Sequence, residues 1–414
     1  LTSEKEDTVV KKGTIFIISL LLIGSALWAG GWNNTLMGAR ALAIGGAFTG
    51  IADDASAIFH NPGGLGFQEN VLNFSLDGFY IWPTHEYTMP TGTKIQSKYN
   101  SPLPQIFVTY RTSEKITLGF GIYVPYAGGG VDWKKDELGV PLESVMGIYA
   151  ITPTIAYQVS DRLSLGFNLI FYRGILKVNT EMEGYGPISV EENGGSPSAG
   201  FGLMYKPTDK LSLGMSIRGP AKMKLSGITS ITYGTNKMNL DSDTSFNLPW
   251  DVEVGLSYRI SENLLFATGA QYTMWSALDK VEKTIKNVPH FDPNTLMLVA
   301  SDIEEEEVLD FNNILILRAG FEYLLPQGIA LRAGVGLDHC ACPEETLSIT
   351  NIDVNKLTLL GGIGYKAGKM QIDFAYAYAF GTEREKTITA YSVPLTEKYN
   401  LNVFILGLGI TFSY

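Results

Sequence analysis

LNVFILGLGITFSY, residues 401–414, decides the fold. Phe404, Leu406, Leu408, Ile410, Phe412 and Tyr414 share one parity, and Val403, Ile405, Gly407, Gly409, Thr411 and Ser413 share the other. That period of two specifies a strand. The segment before it repeats the pattern, with Ile372, Phe374, Tyr376, Tyr378 and Phe380 alternating with Asp373, Ala375, Ala377, Ala379 and Gly381. One face is bulky and apolar, the other small. A soluble sandwich would put charged and hydroxyl side chains opposite its packed face. Gly and Ala there instead predict a barrel wall that faces lipid outside and a lumen inside.

A repeated turn extends this reading upstream. YRTSEKITL at 110–118 recurs as YQVSDRLSL at 157–165, YKPTDKLSL at 205–213 and YRISENLLF at 258–266, with looser copies after Tyr323 and Tyr365. Each reads as a tight hairpin with a Tyr at its rim, where the ring lies in lipid and the hydroxyl stays wet. Between the tight turns come long polar connections: 83–102, 125–143, 177–195, 219–244, 277–312, 339–355 and 382–400. Their alternation predicts an all-β chain, a fourteen-stranded antiparallel transmembrane barrel with both ends on the short-turn side.

Composition agrees. The chain has 414 residues, 45 of them Gly, with 21 Tyr and 20 Phe, which excludes disordered and fibrous classes. A net charge of −11 without a basic stretch argues against nucleic acid. Cys340 and Cys342 are too few and too close for a disulfide framework. Lys11 and Lys12 precede an apolar run, Ile15 to Leu27, too short to span a bilayer and closed by small residues. It is expected to be a signal peptide over 1–29, cleaved after Ala29 or Ala26, and the mature chain keeps the charge of −11 because three basic and three acidic residues leave together. The barrel is then expected over 69–414, in the outer membrane of a Gram-negative-type bacterium. Lipopolysaccharide is an expected neighbour, and the strand ending in Phe412 and Tyr414 the expected contact for the barrel-assembly machinery.

Residues 30–68 lack the alternation. GARALAIGGAFTGIADDASAIFHNPGGLG, 38–66, is too small-sided for a lipid-facing strand and is expected to fold inside the lumen as a hatch.

Gly38, Arg40, Gly45, Gly46 and Ala47, then Ala52, Asp53, Asp54 and Ala55, then Asn61 and Pro62, resemble the hatch motif of the FadL/TodX outer-membrane transporters of hydrophobic compounds. Gly63 stands where that family usually has Ala. Leu248-Pro249-Trp250, Val254 to Tyr258, Trp275-Ser276, Leu331 to Val335 with Asp338, and Asp373 to Tyr376 continue the resemblance in order. It implies a plugged barrel that catches substrate among its outer loops, holds it in an internal pocket and releases it sideways at a kinked third strand. Transfer into hydrocarbon is downhill by about 0.8 kcal/mol per CH2, so a side exit suits such cargo. The third strand is expected over 115–124, broken at Pro125 and loosened by Gly128, Gly129 and Gly130, although an ordinary loop start reads equally well.

Long-chain fatty acids come first on family grounds, with neutral or aromatic hydrocarbons close behind. Lys177 is the expected carboxylate partner, with Phe48, Ile58 and Phe59 as apolar contacts, while the acidic run Glu304 to Glu307 would repel a carboxylate if it faced the pocket. Asp53 and Asp54 read as hatch caps with Arg40 as partner rather than a catalytic pair. His339, Cys340 and Cys342 lack a complete zinc pattern, so no metal or other cofactor is expected. His60, His85, His290 and His339 adjoin no nucleophile signature, so no catalytic residue is expected. A structural or adhesive barrel is the rival of a different class. Arg173, with the parity of Leu163 to Phe171, is expected to snorkel at the outer membrane edge.

Overall fold

The computed structural model describes residues 31–35, 37–182, 186–233, 236–291, 297–390 and 393–414; the expected leader, 1–29, lies outside them. Twenty strands follow one another: β1 (Leu72–Thr88), β2 (Lys94–Ser97), β3 (Ser101–Arg111), β4 (Ile116–Trp133), β5 (Leu142–Ser160), β6 (Leu163–Met182), β7 (Gly186–Thr208), β8 (Leu211–Arg218), β9 (Ala221–Tyr233), β10 (Asn236–Leu248), β11 (Asp251–Arg259), β12 (Leu264–Thr273), β13 (Lys280–Phe291), β14 (Leu298–Val308), β15 (Ile314–Leu324), β16 (Ile329–Asp338), β17 (Lys356–Ala367), β18 (Met370–Gly381), β19 (Arg384–Ala390) and β20 (Val393–Ser413).

Fourteen of them close an antiparallel ring in the order β1, β3, β4, β5, β6, β7, β8, β11, β12, β15, β16, β17, β18, β20. The ring shuts where β20 pairs with β1, from Asn73 opposite Ser413 to Thr88 opposite Lys398. The expected strand number and parity are both found. Phe374, Tyr376, Tyr378, Phe380, Phe404, Leu408, Phe412 and Tyr414 face outward, while Ala375, Ala377, Ala379, Val403 and Ile405 are buried on the lumen side. Tyr110, Tyr157, Tyr205, Tyr258, Tyr323 and Tyr365 all point outward at the short-turn end.

The long connections differ from expectation. They are largely strands that carry the wall past the membrane: β9 pairs with the outer half of β7, β10 with β9, β13 with β10 and β14 with β13. β2 pairs antiparallel with the outer end of β1, and β19 with the outer end of β20. Above the bilayer the outward face meets water, so polar side chains occupy it and the contrast that marks a lipid-facing strand disappears. The third wall strand, β4, also continues past Pro125 to Trp133, with register shifts at Tyr123/Tyr126 and Gly128/Val131. Bulges, rather than an end, accommodate the proline's missing donor.

Topology is open to a direct check. Single cysteines at Ser113, Ser160 or Asp209, in a background where Cys340 and Cys342 are serines, are expected to resist a membrane-impermeant maleimide on whole cells, while one at Glu304 labels. Labelling at the tight turns would invert the barrel.

Candidate functional site: a filled lumen and an open seam

Residues 38–67 fold inside the ring as two short helices, Ala39–Ala43 and Ala57–His60, and a 3₁₀ turn, Pro62–Phe67. Glycines let this chain lie against the wall. A Cβ on Gly334 of β16 would come within 2.4 Å of Gly45, and one on Gly202 of β7 within 2.4 Å of the Asn61 amide oxygen. Gly45 and Gly46 also have φ of +79° and +72°, which side chains other than glycine rarely adopt. The small inner face thus receives a small-sided hatch.

Polar groups lock it in place. Arg40 bridges Asp53 and Glu322, the latter at 2.9 Å; Glu322 also accepts from Arg332 at 2.7 Å, and Arg332 donates to Asp373 at 2.7 Å. Asp54 accepts from the Ser56 amide and hydroxyl at 2.9 and 2.6 Å, which closes the turn before the second helix. Asp77 accepts the Ala39 amide at 2.8 Å, and Gln105 the Gly38 amide at 3.1 Å. Asn61 donates to the carbonyls of Thr49 and Leu203 and accepts from the Gly63 amide, so one side chain joins hatch, wall and turn. Pro62 follows at the first position of the 3₁₀ turn, where no donor is needed. The buried His60 donates from Nε2 to Met37 O at 2.8 Å and ties the second helix to the start of the first.

The wall beside the hatch has a seam. β3 and β4 pair from Arg111/Thr117 up to Ile106/Ile122 and no further. Beyond that point β3 stays with β1, and β4 stays with β5. The carbonyls of Val124 and Pro125 are taken from inside by Asn34, whose side chain and backbone amides donate at 2.6 and 2.8 Å. An apolar groove of about 410 Å³ passes through the gap, from Ile81, Leu103 and Met146 on the inside to Val145, Tyr149 and Lys177 on the outside. Gly130 lies under the Tyr99 ring, which a Cβ there would meet at 2.2 Å, and both line the groove. Gly128 pairs with Met146 next to the second register shift, and Gly129 falls within it.

The structure separates the expected substrate contacts. Lys177 shares the outward parity of Arg173 on β6 and stands at the outer mouth of the groove, so its expected place in an internal pocket is corrected. Phe48 is buried within the hatch against Ile44, Ile51 and Ala267. Ile58 packs on Gly119 and Gly121 of β4, and Phe59 lies edge-on to Tyr123 at 5.5 Å with the Arg218 guanidinium 4.2 Å from its ring centre. None of these three lines the groove.

Above the hatch the lumen is aromatic. Trp32 meets Phe246 at 5.0 Å and Trp275 at 6.2 Å; Trp275 meets Tyr126 at 6.1 Å and Phe311 at 6.0 Å; Tyr126 meets Tyr172 at 5.7 Å. Parity marks this chamber in the sequence. Inward positions on β6 change from Ser164, Gly166 and Asn168 beside the hatch to Ile170, Tyr172, Leu176 and Val178 above it.

The lumen's cations have acidic company. Arg218 pairs with Asp251 at 2.8 Å, and the fully buried Lys283 of β13 lies 3.9 Å from Glu192 of β7. Burial pushes Lys283 down to about 8 against the opposing pull of Glu192. The acidic run splits: Glu305 and Glu307 share the inward parity of Lys283 and Val281, while Glu304 and Glu306 face out. Sequence reasoning missed Lys283; the signal that could have found it is the inward alternation Val281, Lys283, Ile285. In the connection 339–355, His339 sits at Leu315 O and Cys342 is buried beside Asn351, and among the described residues no three His, Cys, Asp or Glu converge as metal ligands.

An apolar-walled barrel filled by its own N-terminal segment defines an outer-membrane transport protein of the plugged class, distinct from an open porin. The chain belongs to the family described as outer membrane protein transport protein (OMPP1/FadL/TodX), which matches residues 20–414. Outer membrane protein P1 of Haemophilus influenzae is 21% identical, covering 96% of this chain and 99% of that one. An outer membrane protein of Neisseria meningitidis serogroup B is 25% identical over 138 residues, with 31% of this chain spanning 29% of that relative's length. Among solved structures, a Pseudomonas aeruginosa FadL homologue superposes with a TM-score of 0.79 at 18% identity, covering 93% of this chain and all (100%) of that one. The Ralstonia pickettii toluene transporter TbuX gives 0.67 at 17% identity, covering 91% and 98%. The protein is therefore an outer-membrane transporter of hydrophobic compounds.

Proposed function

We propose that this barrel takes up neutral hydrophobic molecules and releases them sideways into the membrane through the seam between β3 and β4. The observation that carries this is the apolar groove running through the wall where those strands part. A hydrocarbon passing along it stays in contact with apolar side chains, whereas the hatch blocks the axial path. Neutral cargo is favoured over the fatty acids that family resemblance alone puts first, because Lys283 already has Glu192 beside it and Glu305 opposite it. A carboxylate entering there meets two like charges. The TbuX likeness supports the aromatic end of the neutral class. Lys177 and Pro125, Gly128, Gly129 and Gly130 belong to the mouth and lips of the exit, and residues 30–68 to its plug.

Cysteines at Ser101 and Ala127, which line the groove on its two banks, test the route. Joined by a short bismaleimide in the cysteine-free background, they are expected to abolish uptake of radiolabelled toluene by whole cells, and neither single cysteine is expected to do so. At alkaline pH, ionised laurate is expected to enter on the order of tenfold or more slowly than toluene. Toluene uptake that survives complete cross-linking would rule out the side exit, and equal rates would rule out the preference for neutral cargo.

A further inference from the structure

On β6 the lipid-facing positions run Phe167, Leu169 and Phe171 and then change to Arg173, Ile175 and Lys177. The change falls where the apolar belt meets the outer interface. Arg173 stands opposite Gly195 of β7, and Gly194 stands opposite Leu225 of β9, so Lys224 is the neighbour of Gly195 on its other side. Arg173, Gly195 and Lys224 thus form one row across three strands. The two cations rise from backbones about 10 Å apart with no β7 side chain between them, and Arg173 leans toward Gly195, its Cδ 3.1 Å from where a Cβ there would stand. The exposed Asn193 and then Lys177 lie above that gap, around a hollow of about 520 Å³.

The charges here are unspent. Among the described residues, Arg173, Lys177 and Lys224 have no ion-pair partner, whereas Lys134, Lys135, Lys280, Lys286 and Lys398 on the outer side all do. Glu191, opposite Lys177, is the acid within the patch, and the nearby Asp243 is held by Lys286. Directly below the row the wall is notched. Pairing of β7 with β8 stops at Gly200 and pairing with β9 starts at Gly194. The break leaves an apolar hollow of about 450 Å³ whose lining includes Phe167, Ala199, Phe201, Pro220 and Trp250.

We propose that this face binds a phosphorylated glycolipid of the outer leaflet. Its phosphate monoester sits over Gly195 between Arg173 and Lys224, with Asn193 as an amide donor, and one acyl chain lies in the notch beside Trp250. A monoester carries close to two negative charges at neutral pH, which matches two cations flanking a gap better than a singly charged diester does. The guanidinium offers it a fork of two donors. The order of the surface, cations over an apolar notch, is the order of headgroup and chain in an outer leaflet. Tyr149, Ile175 and Lys177 line both the upper hollow and the groove of the seam, so the bound lipid forms one bank of the exit.

Native mass spectrometry of the folded full-length barrel in detergent tests this. The probes are diphosphorylated lipid A, its enzymatically dephosphorylated form and phosphatidylglycerol. The wild-type barrel is expected to retain one lipid A. Retention is expected to fall about 10- to 30-fold for the dephosphorylated form and for the double variant Arg173→Gln/Lys224→Gln, with phosphatidylglycerol weaker than lipid A. Lys237→Gln, at a distant hairpin tip, is expected to change nothing. The comparison of the three lipids needs only the wild-type chain, so it stands even if the double variant fails to fold. Equal retention with and without phosphate, an unchanged folded double variant, or phosphatidylglycerol binding as well as lipid A would each overturn the site.

Discussion

A barrel without residues 31–67 is expected to conduct ions in planar bilayers on the order of tenfold or more better than the intact chain, because a ring of this strand number encloses a lumen whose membrane level the hatch fills. The wall itself is prepared for water. Asn168 donates to Ile58 O, Arg218 to Phe59 O and Ser257 to Gly50 O, so these side chains become solvated, not stranded, when the hatch goes. The paired Arg332, Glu322 and Asp373 stay behind to hold the wall's inner charge together. Conductance that stays at the intact level would mean the wall collapses inward or is blocked by its outer connections.

Replacing Arg332 by Met is expected to cost about 3–5 kcal/mol of barrel stability, the usual consequence of removing one partner from a buried charge cluster. Arg332 is almost fully enclosed and touches both Glu322 and Asp373. After the change Glu322 keeps Arg40, but among the described residues Asp373 is left with the neutral amide of Gln371 at 2.7 Å. The contrast is Lys398, which reaches Glu383 and Glu385 across an exposed surface; Lys398→Met is expected to leave stability nearly unchanged. Urea unfolding in detergent micelles, followed by tryptophan fluorescence, reads both. Equal effects would mean the internal charge chain is solvated and contributes little.

The wall was legible because lipid and lumen impose opposite demands on alternate residues. Ala375 and Tyr376, adjacent in sequence, end on opposite faces of β18 for that reason. The rim tyrosines were legible because a short turn recurs beside each. β9, β10, β13 and β14 were not, since water on their outer face allows Lys222, Lys224 and Ser226 where lipid would require Leu or Phe. The seam was legible in part. Pro125 and the glycines after it mark a weakness, but the bulged continuation to Trp133 depends on pairing with β5, a partner that local sequence does not name. Lys177 was misplaced although its parity was readable: it stands two pairs beyond Arg173, on the same face. Lys283 was missed because its charged neighbours, Lys280, Glu282 and Lys286, hide an alternation that places it alone on the apolar side.

The ring is closed by its own extremities. β1 begins within a few residues of the hatch, and β20 ends the chain, yet these two share sixteen registered pairs from Asn73/Ser413 to Thr88/Lys398. Contacts of such sequence separation form late, since the entropy of a long loop is lost before they repay it. Until then the barrel is a curved sheet with two free edges and an accessible concave side. Once β20 has joined β1, the mouth at the short-turn end is the way in for a segment tethered to the start of β1. The segment that fills the lumen is thus tethered directly to the strand that shuts the wall, so hatch docking and ring closure are coupled through β1.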